Sequence, residues 1–304
     1  MKHQEGFFSG VRGGNNYFQC WIPDTAPKAV LLLVYGLAEH SGRYANLIAH
    51  LVPRGNAVYG MDHVGHGQSD GARAHVERFG DFVQPLRTYF GMVRKWQPDA
   101  PIFLVGHSLG ALIGATYLLD YQDGLQGAIL SGPAVKIPGN ISPATILAGK
   151  ILSVLMPKVG VLGLDARGVS RDPAVVAAYV NDPLVFAGKA TARLGAEMLK
   201  AMQRVTAEAN RIRLPVLILQ GGADKLVDPA GARMLHDLAG SADKTLRFYE
   251  GLYHEVYNEP ERDQVLRDVE SWLETHLPLS PQPSNRVLRA SPGYPARGEG
   301  ASNP

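Results

Sequence analysis

Short apolar runs alternate with helical patterns along most of the 304-residue chain. Each run closes in Gly or Asp, and continuous apolar runs of this length are typical of strands in a parallel sheet that is buried on both faces. The alternation therefore predicts an α/β fold with a mostly parallel central sheet flanked by helices. The predicted strands are residues 28–36, 57–62, 101–106, 127–132, 215–221 and 244–251.

The alternation fails once, between residues 134 and 213, where no strand run stands out. We call this stretch the cap insertion and predict that it is helical. Open α/β sheets bind ligands beyond the carboxyl ends of their strands, and we expect the insertion to form a cap there. Its segment 141–156 is especially apolar, although Lys150 interrupts it. Residues 1–133 and 214–277 are then the core.

The sequence VGHSLG places Ser108 between Gly106 and Gly110, where a predicted strand ends and a helix begins. A G-x-S-x-G motif alone is weak evidence, but a strand-turn-helix context is the one that projects a serine oxygen from the edge of a sheet. An ordinary helix N-cap would explain a serine at this position but not the paired glycines, which leave room for a tight turn. We therefore predict that Ser108 is a nucleophile.

A serine nucleophile needs a base within hydrogen-bond distance and a carboxylate that orients the base. In folds that display a serine on such a turn, the carboxylate and the histidine follow later strands, in that order. Asp224 follows the fifth predicted strand and His254 the sixth. Asp228 is the rival carboxylate, but its position before a proline is typical of a helix cap. Other histidines, such as His236, lie within helical patterns.

Backbone N–H groups must stabilise the oxyanion of an acyl-transfer intermediate. Leu109 supplies one N–H at the start of the predicted helix, and Leu37, in the loop after the first predicted strand, is the best candidate for the other. The same loop contains Glu39, His40 and Arg43. These polar residues are either a solvated loop that caps a helix or a part of the binding site.

His63 and His66 have a spacing that metal ligands can adopt. A zinc site requires a third ligand with a defined partner, and none stands out in the sequence. We therefore expect no metal and no cofactor, and a structural glycine-rich loop at this position.

The charge balance argues against a nucleic-acid partner. The net charge is +2, and residues 278–304 contribute three arginines against one glutamate, so the rest of the chain is neutral. A nucleic-acid groove needs clustered Lys and Arg. The tail 278–304 is rich in Pro, Gly and Ser and is predicted to be disordered.

Cys20 is the only cysteine, which excludes an internal disulfide bond and a cysteine metal cluster. No run is long enough for a membrane span, and the first ten residues lack the apolar core of a signal peptide. These features lead us to expect a cytoplasmic protein.

Six segments together resemble the monoacylglycerol lipases of the α/β-hydrolase fold, in order and over about residues 7–277. They are YGLAEHSGRY, MDHVGHGQSDG, FLVGHSLG, NDPLV, LQGGADKLVDP and DKTLRFYEGLYHEVYNEP. The resemblance implies an α/β-hydrolase fold with a helical cap insertion whose apolar surface meets lipid. It also implies three groups of site residues: Ser108, Asp224 and His254 as the catalytic triad, the amides of Leu37 and Leu109 as the oxyanion hole, and Glu39 and Arg43 beside the site of the glycerol head group.

Two positions depart from the pattern of this family. The family usually begins its oxyanion loop with His-Gly, whereas this chain has Tyr35 before the glycine. Because that histidine normally braces the loop, the departure bears on the position of the Leu37 amide. Ala38 and Ala111 stand where the family often has glycine, which tightens the room around the oxyanion hole and behind the turn.

The leading hypothesis is a serine hydrolase that cleaves monoacylglycerol to fatty acid and glycerol through an acyl-enzyme. A lysophospholipase or general carboxylesterase would use the same machinery with another head-group pocket. A lipid or small-molecule receptor would have lost a triad member, and a peptidase would need an amine-binding cluster, which the sequence does not show. The apolar cap insertion adds the hypothesis of peripheral contact with membranes.

Overall fold

The computed structural model describes residues 1–137 and 142–278. An eight-stranded sheet has the order β1-β2-β4-β3-β5-β6-β9-β10, and β7 and β8 form a separate pair. The strands are β1 (Lys2–Ser9), β2 (Asn15–Ile22), β3 (Ala29–Val34), β4 (Asn56–Met61), β5 (Ile102–His107), β6 (Gly127–Ser131), β7 (Gly160–Leu162), β8 (Ala190–Thr191), β9 (Val216–Gly221) and β10 (Lys244–Tyr249).

All neighbours from β4 to β10 in the sheet pair in parallel, and only β1-β2 and β2-β4 pair antiparallel. The prediction of a mostly parallel sheet is therefore confirmed, and each of its six predicted strands is present. Strands β1 and β2 are not among the predicted strands. These strands lie at one edge of the sheet, where β1 exposes much of its surface and carries no continuous apolar run.

Helices pack on both faces of the sheet. They are α1 (Ala45–Leu51), α2 (Gly80–Trp96), α3 (Leu109–Tyr121), α4 (Pro143–Leu155), α5 (Pro173–Asn181), α6 (Ala192–Glu208), α7 (Ala230–Leu238) and α8 (Arg262–His276). Successive side chains of a strand point to opposite faces. In β3, Val30, Leu32 and Val34 join one hydrophobic core, whereas Leu31 and Leu33 join the other. A strand buried on both faces must be apolar throughout, which explains the continuous runs.

The cap insertion lies between β6 and β9 and contains α4, α5 and α6 together with the strand pair β7-β8. The expectation of an entirely helical insertion is therefore wrong in this detail, because β7 and β8 have only three and two residues and give no periodic signal. Residues 138–141 and 279–304, which include part of the apolar segment and nearly all of the predicted disordered tail, lie outside the described residues.

The cap insertion exposes an unusual amount of apolar surface. Apart from Met1 and Leu238, every large hydrophobic side chain that is strongly exposed among the described residues belongs to it. Val154 and Leu155 are the extreme cases, at 70% and 73% exposed. No helix in the described part of the chain is long and apolar enough to cross a membrane.

Candidate active site

Ser108 lies on the turn between β5 and α3, with φ 55° and ψ −118°. A positive φ is unfavourable for a residue with a side chain and costs on the order of 1 kcal/mol or more. The side chain of Ser108 makes no capping hydrogen bond with α3, so a conventional N-cap does not explain this serine. The turn holds its hydroxyl at the carboxyl edge of the sheet.

The two glycines that flank this turn are required by close packing. A Cβ on Gly106 would lie 2.8 Å from the Cα of Ala111, and one on Gly110 would lie 1.9 Å from the carbonyl oxygen of Val34. Helix α3 therefore passes so close to β3 and β5 that a larger residue at either position would force the backbone to move. Ala111 itself is buried in this packing.

His254 and Asp224 meet beyond the ends of β10 and β9. The Nδ1–H of His254 donates to Oδ2 of Asp224 at 2.7 Å, and both side chains are almost fully buried. With its proton on Nδ1, the ring presents Nε2 as an acceptor. This is the arrangement in which a carboxylate orients a neutral histidine base.

Further hydrogen bonds hold the carboxylate of Asp224. It accepts from the backbone N–H groups of Leu226 and Val227 at 2.8 and 3.1 Å and from Nε2 of Gln220 at 3.0 Å. Burial opposes the charge, but the neighbouring His254 and the backbone N–H groups of Val227 and Leu226 outweigh burial and lower the pKa of Asp224. The carboxylate is therefore charged at neutral pH.

The rival carboxylate, Asp228, serves another purpose. Its Oδ1 accepts from the N–H of Ala230 at 2.9 Å, near the start of α7, and its Oδ2 lies 2.8 Å from Nζ of Lys136. The carboxylate that contacts His254 is that of Asp224.

The ring of His254 is enclosed from two sides. A Cβ on Gly132 would lie 3.1 Å from the ring, and the ring of His107 lies with its centroid 4.7 Å away. Burial alone would lower the pKa of His254. The negative charge of Asp224 outweighs burial and raises this pKa, and Glu255 adds to the effect.

A cavity of about 840 Å³ connects these groups. Ser108, His254, Leu37 and Leu109 all line it, and Glu39 lines it as well. Helices α4 and α6 of the cap insertion supply about half of the remaining wall, and their share of it is almost entirely apolar. The cavity therefore combines a few polar groups at the carboxyl edge of the sheet with a large apolar space beneath the cap insertion, as ligand sites commonly do.

The cap insertion contacts the loop that carries Leu37. Ala38 has φ 68°, and its carbonyl oxygen accepts from the N–H of Phe186 at 2.8 Å. His40 lies two residues further on, and its Nε2 lies 2.8 Å from Oδ2 of Asp182. Because Nδ1 of His40 accepts from the N–H of Gly42, the proton is on Nε2, which donates to Asp182. Two hydrogen bonds thus join the loop that carries Leu37 to the cap insertion.

Tyr35 is the first residue of this loop, and His63 holds it in place. Its hydroxyl accepts from the N–H of His63 at 2.6 Å, and Nε2 of His63 donates to the carbonyl oxygen of Tyr35 at 3.1 Å. The two rings lie 4.2 Å apart between centroids. Two hydrogen bonds thus anchor the start of the loop that carries Leu37 to the loop after β4, at the position where the family usually has a histidine.

His63 and His66 are fully buried against Tyr35 and Phe82. Burial lowers the pKa of His63 to about 3 and that of His66 to about 4, so both rings are neutral. No three side chains of the metal-binding types come together within residues 1–137 and 142–278.

Glu39 is buried rather than solvated, at 4% exposed. One oxygen accepts from the N–H of Gly36 at 2.7 Å and from the hydroxyl of Tyr44 at 2.9 Å, and the other accepts from Arg43 at 3.0 Å. The solvated-loop alternative is therefore wrong for this residue. Burial, aided by the charge of Glu255, raises the pKa of Glu39.

Arg43 lies behind the carboxylates and is not part of the cavity wall formed by the described residues. Its guanidinium donates twice to Glu255, at 2.6 and 3.0 Å, and stacks over the ring of Tyr179 at 4.5 Å. Its expected contact with the substrate stays a prediction. Glu255 directly follows His254 but is not among the predicted site residues.

The chain is similar to known proteins over most of its length. The family model described as "Serine aminopeptidase, S33" matches residues 25–261. The chain is 41% identical over 273 residues to a monoacylglycerol lipase of Mycolicibacterium smegmatis, covering 90% of this chain and 98% of the relative. It is 36% identical to the monoglyceride lipase of Mus musculus, over 94% of this chain and 92% of the relative.

The crystal structure of a monoacylglycerol lipase from Paleococcus ferrophilus superimposes with a TM-score of 0.76 at 31% identity, covering 91% of this chain and all of that one. The strand order, the position of the cap insertion and the turn at Ser108 thus occur in a chain that is similar to these relatives over nearly its full length. The predicted fold is confirmed, and the chain belongs to the monoacylglycerol lipase family of the α/β hydrolases.

Proposed function

We propose that this carboxylic ester hydrolase cleaves monoacylglycerol to a fatty acid and glycerol, with Ser108, His254 and Asp224 as its catalytic triad. The observation that carries the proposal is the 2.7 Å bond between His254 and Asp224 in a largely apolar cavity that Ser108 also lines. The names of the relatives support the substrate.

The reaction has two halves. The hydroxyl oxygen of Ser108 attacks the ester carbonyl while Nε2 of His254 takes the hydroxyl proton, and His254 then gives this proton to the departing glycerol oxygen. Water attacks the acyl-enzyme in the second half, losing a proton to His254, which returns it to Ser108 as the fatty acid leaves. The N–H groups of Leu37 and Leu109 are proposed to bind the oxyanion in both halves.

The polar part of the cavity supports glycerol as the leaving group. Glu39 and Glu255 line the cavity near His254 and offer carboxylate oxygens to hydroxyl donors. Because Arg43 compensates only one of the two charges, the cluster keeps a negative charge that disfavours a phosphate group. A lysophospholipid should therefore be a poorer substrate than a monoacylglycerol.

The same two carboxylates can also bind the α-ammonium group of a peptide, and the matching family model is that of a serine aminopeptidase. Both carboxylates are already hydrogen-bonded to Arg43, and Glu39 accepts two further bonds. The chain is, however, 41% and 36% identical to two monoacylglycerol lipases, and this similarity favours ester cleavage.

A fluorophosphonate probe and three substrates test the proposal. We expect the wild type to be labelled and Ser108→Ala to lose labelling and all but a trace of turnover. The ratio kcat/KM should be at least about tenfold higher for monooleoylglycerol than for lysophosphatidylglycerol, whose head group carries a net negative charge, since one uncompensated charge near the cleft is worth about 1.4 kcal/mol. Equal labelling of Ser108→Ala, or a preference for an aminoacyl nitroanilide, would refute the assignment.

The cap insertion supports peripheral contact with a lipid surface. Its exposed apolar side chains are accompanied by Lys150, Lys158 and Lys189, which are exposed and form no ion pair among the described residues. An apolar face with free lysines suits a membrane that contains anionic lipids. The substrate of the proposed reaction is itself found in such surfaces.

A further inference from the structure

Two glycines lie inside helices of the cap insertion, Gly149 in α4 and Gly195 in α6. Both line the cavity that contains Ser108 and His254, and the two helices pack against each other. A Cβ built on either glycine would meet no atom within 4 Å. These glycines therefore border open space.

Neither packing nor backbone conformation explains them. Gly106 and Gly110 are required because a Cβ would collide with backbone atoms, but no atom stands in the way at Gly149 or Gly195. Neither residue has a positive φ. Glycine in a helix interior is disfavoured relative to alanine, because it loses more backbone freedom on folding. What the two residues provide is room in the cavity.

The side chains around the two glycines indicate which part of a ligand occupies the open space beside them. Between and beside the two glycines, α4 and α6 present small or flexible apolar side chains to the cavity, among them Ala148, Leu152, Ala192, Ala196, Met198 and Met202. The polar groups of the wall, by contrast, come largely from the loops at the carboxyl edge of the sheet. An ester whose carbonyl lies at Ser108 and whose alcohol faces Glu39 must place its acyl chain along the apolar helices.

We propose that Gly149 and Gly195 determine how long an acyl chain the cavity admits, and that their open space makes long-chain esters the preferred substrates. The inference rests on the proposed ester hydrolysis. Filling the space at either glycine should push the distal part of a long chain back towards water. Short chains do not reach that part of the cavity and should be unaffected.

The test uses kcat/KM for p-nitrophenyl butyrate, octanoate, laurate and palmitate with four variants: Gly149→Ala, Gly195→Ala, their combination, and Gly195→Leu. Each methylene that loses its place should cost about fourfold, which corresponds to about 0.8 kcal/mol. We expect each alanine variant to lower the palmitate-to-butyrate ratio by about fourfold and Gly195→Leu to lower it by more than tenfold. Turnover of butyrate should stay within about twofold of the wild type.

Gly91 provides the matched control. It lies inside α2, away from the cavity, and a Cβ on it would also meet no atom within 4 Å. Gly91→Ala should resemble Gly149→Ala in its effect on the melting temperature, since both replace a glycine inside a helix. It should leave the chain-length profile unchanged. The alanine variants keep the test decisive even if Gly195→Leu fails to fold.

Two results separate the inference from the proposed function. If all variants keep the wild-type palmitate-to-butyrate ratio, the inference is wrong while ester hydrolysis stands. If the wild type does not cleave monoacylglycerol but the ratio falls in the cavity variants alone, the proposed substrate is wrong and the role of the two glycines stands. A wild type that prefers butyrate would also overturn the inference.

Discussion

Tyr35 stands where the family usually has a histidine, and it holds the following loop through contacts of its own. The family usually has a histidine there, and the sequence raised the question of whether the oxyanion loop keeps its shape without it. The tyrosine hydroxyl reaches the N–H of His63, and the side chain of His63 reaches back to the carbonyl oxygen of Tyr35. Because both bonds are buried, each lost partner would cost about 1–3 kcal/mol. The loop is therefore braced.

The charges around His254 predict the pH dependence of the reaction. In the proposed reaction His254 must be neutral to accept a proton from Ser108, and its pKa is raised because the charges of Asp224 and Glu255 outweigh burial. Activity should thus fall as the pH drops through a value above the usual pKa of histidine. In Glu255→Gln one favourable charge is absent, so the acidic limb of the kcat/KM profile for a soluble short-chain ester should move to lower pH.

The control for this prediction is Glu250→Gln. Glu250 is exposed and follows β10 directly, so the same change of charge is made at a screened position. Its profile should match that of the wild type. A limb that stays in place in Glu255→Gln, or moves to higher pH, would contradict the electrostatic account.

The segment 182–186 of the cap insertion contacts the loop that carries Leu37. It holds the oxyanion loop through the bond from Phe186 to Ala38 and through the pair of Asp182 and His40. Ala38 has a positive φ, which an alanine adopts only when neighbouring contacts hold it. The cap insertion therefore supports the position of a proposed oxyanion donor as well as covering the cavity.

Removal of one of these contacts should slow the chemical step. In Asp182→Ala, His40 loses its partner and the Leu37 amide is less well placed, so kcat for a short-chain ester should fall about tenfold with little change in KM, which corresponds to about 1.4 kcal/mol. Asp182→Asn retains an oxygen that can accept from His40 and should recover most of the activity.

Asp172→Ala is the corresponding control, because this aspartate also belongs to the cap insertion and its side chain caps α5 through the N–H of Ala174. It should change kcat less than twofold, given that an exposed cap affects local helix stability alone. An equal loss in both alanine variants, or a failure of Asp182→Asn to recover activity, would show that the contact does not position the loop.

Across the whole molecule, the features that could be predicted from the sequence are those that leave a pattern in a few neighbouring residues. The parallel strands are apolar throughout because both faces are buried, and Ser108 is flanked by glycines that close packing requires. The edge strand β1, its neighbour β2 and the short pair β7-β8 have no such pattern. Glu255 contacts Arg43, which lies 212 positions earlier in the chain. No pattern in the sequence predicts a contact at that separation.

The distribution of exposed apolar side chains predicts how the whole molecule meets a lipid surface. Leu147 and Val154 are two turns apart on α4, are 59% and 70% exposed, and do not line the cavity. Burial of one such side chain is worth about 1.5 kcal/mol, so Leu147→Glu/Val154→Glu should reduce partitioning onto phosphatidylcholine-phosphatidylglycerol vesicles at least tenfold in a flotation assay. Leu238→Glu, outside the cap insertion, should float like the wild type, and all three proteins should cleave a soluble short-chain ester equally well. If the double variant partitions as strongly as Leu238→Glu, the cap insertion is not the lipid-binding surface.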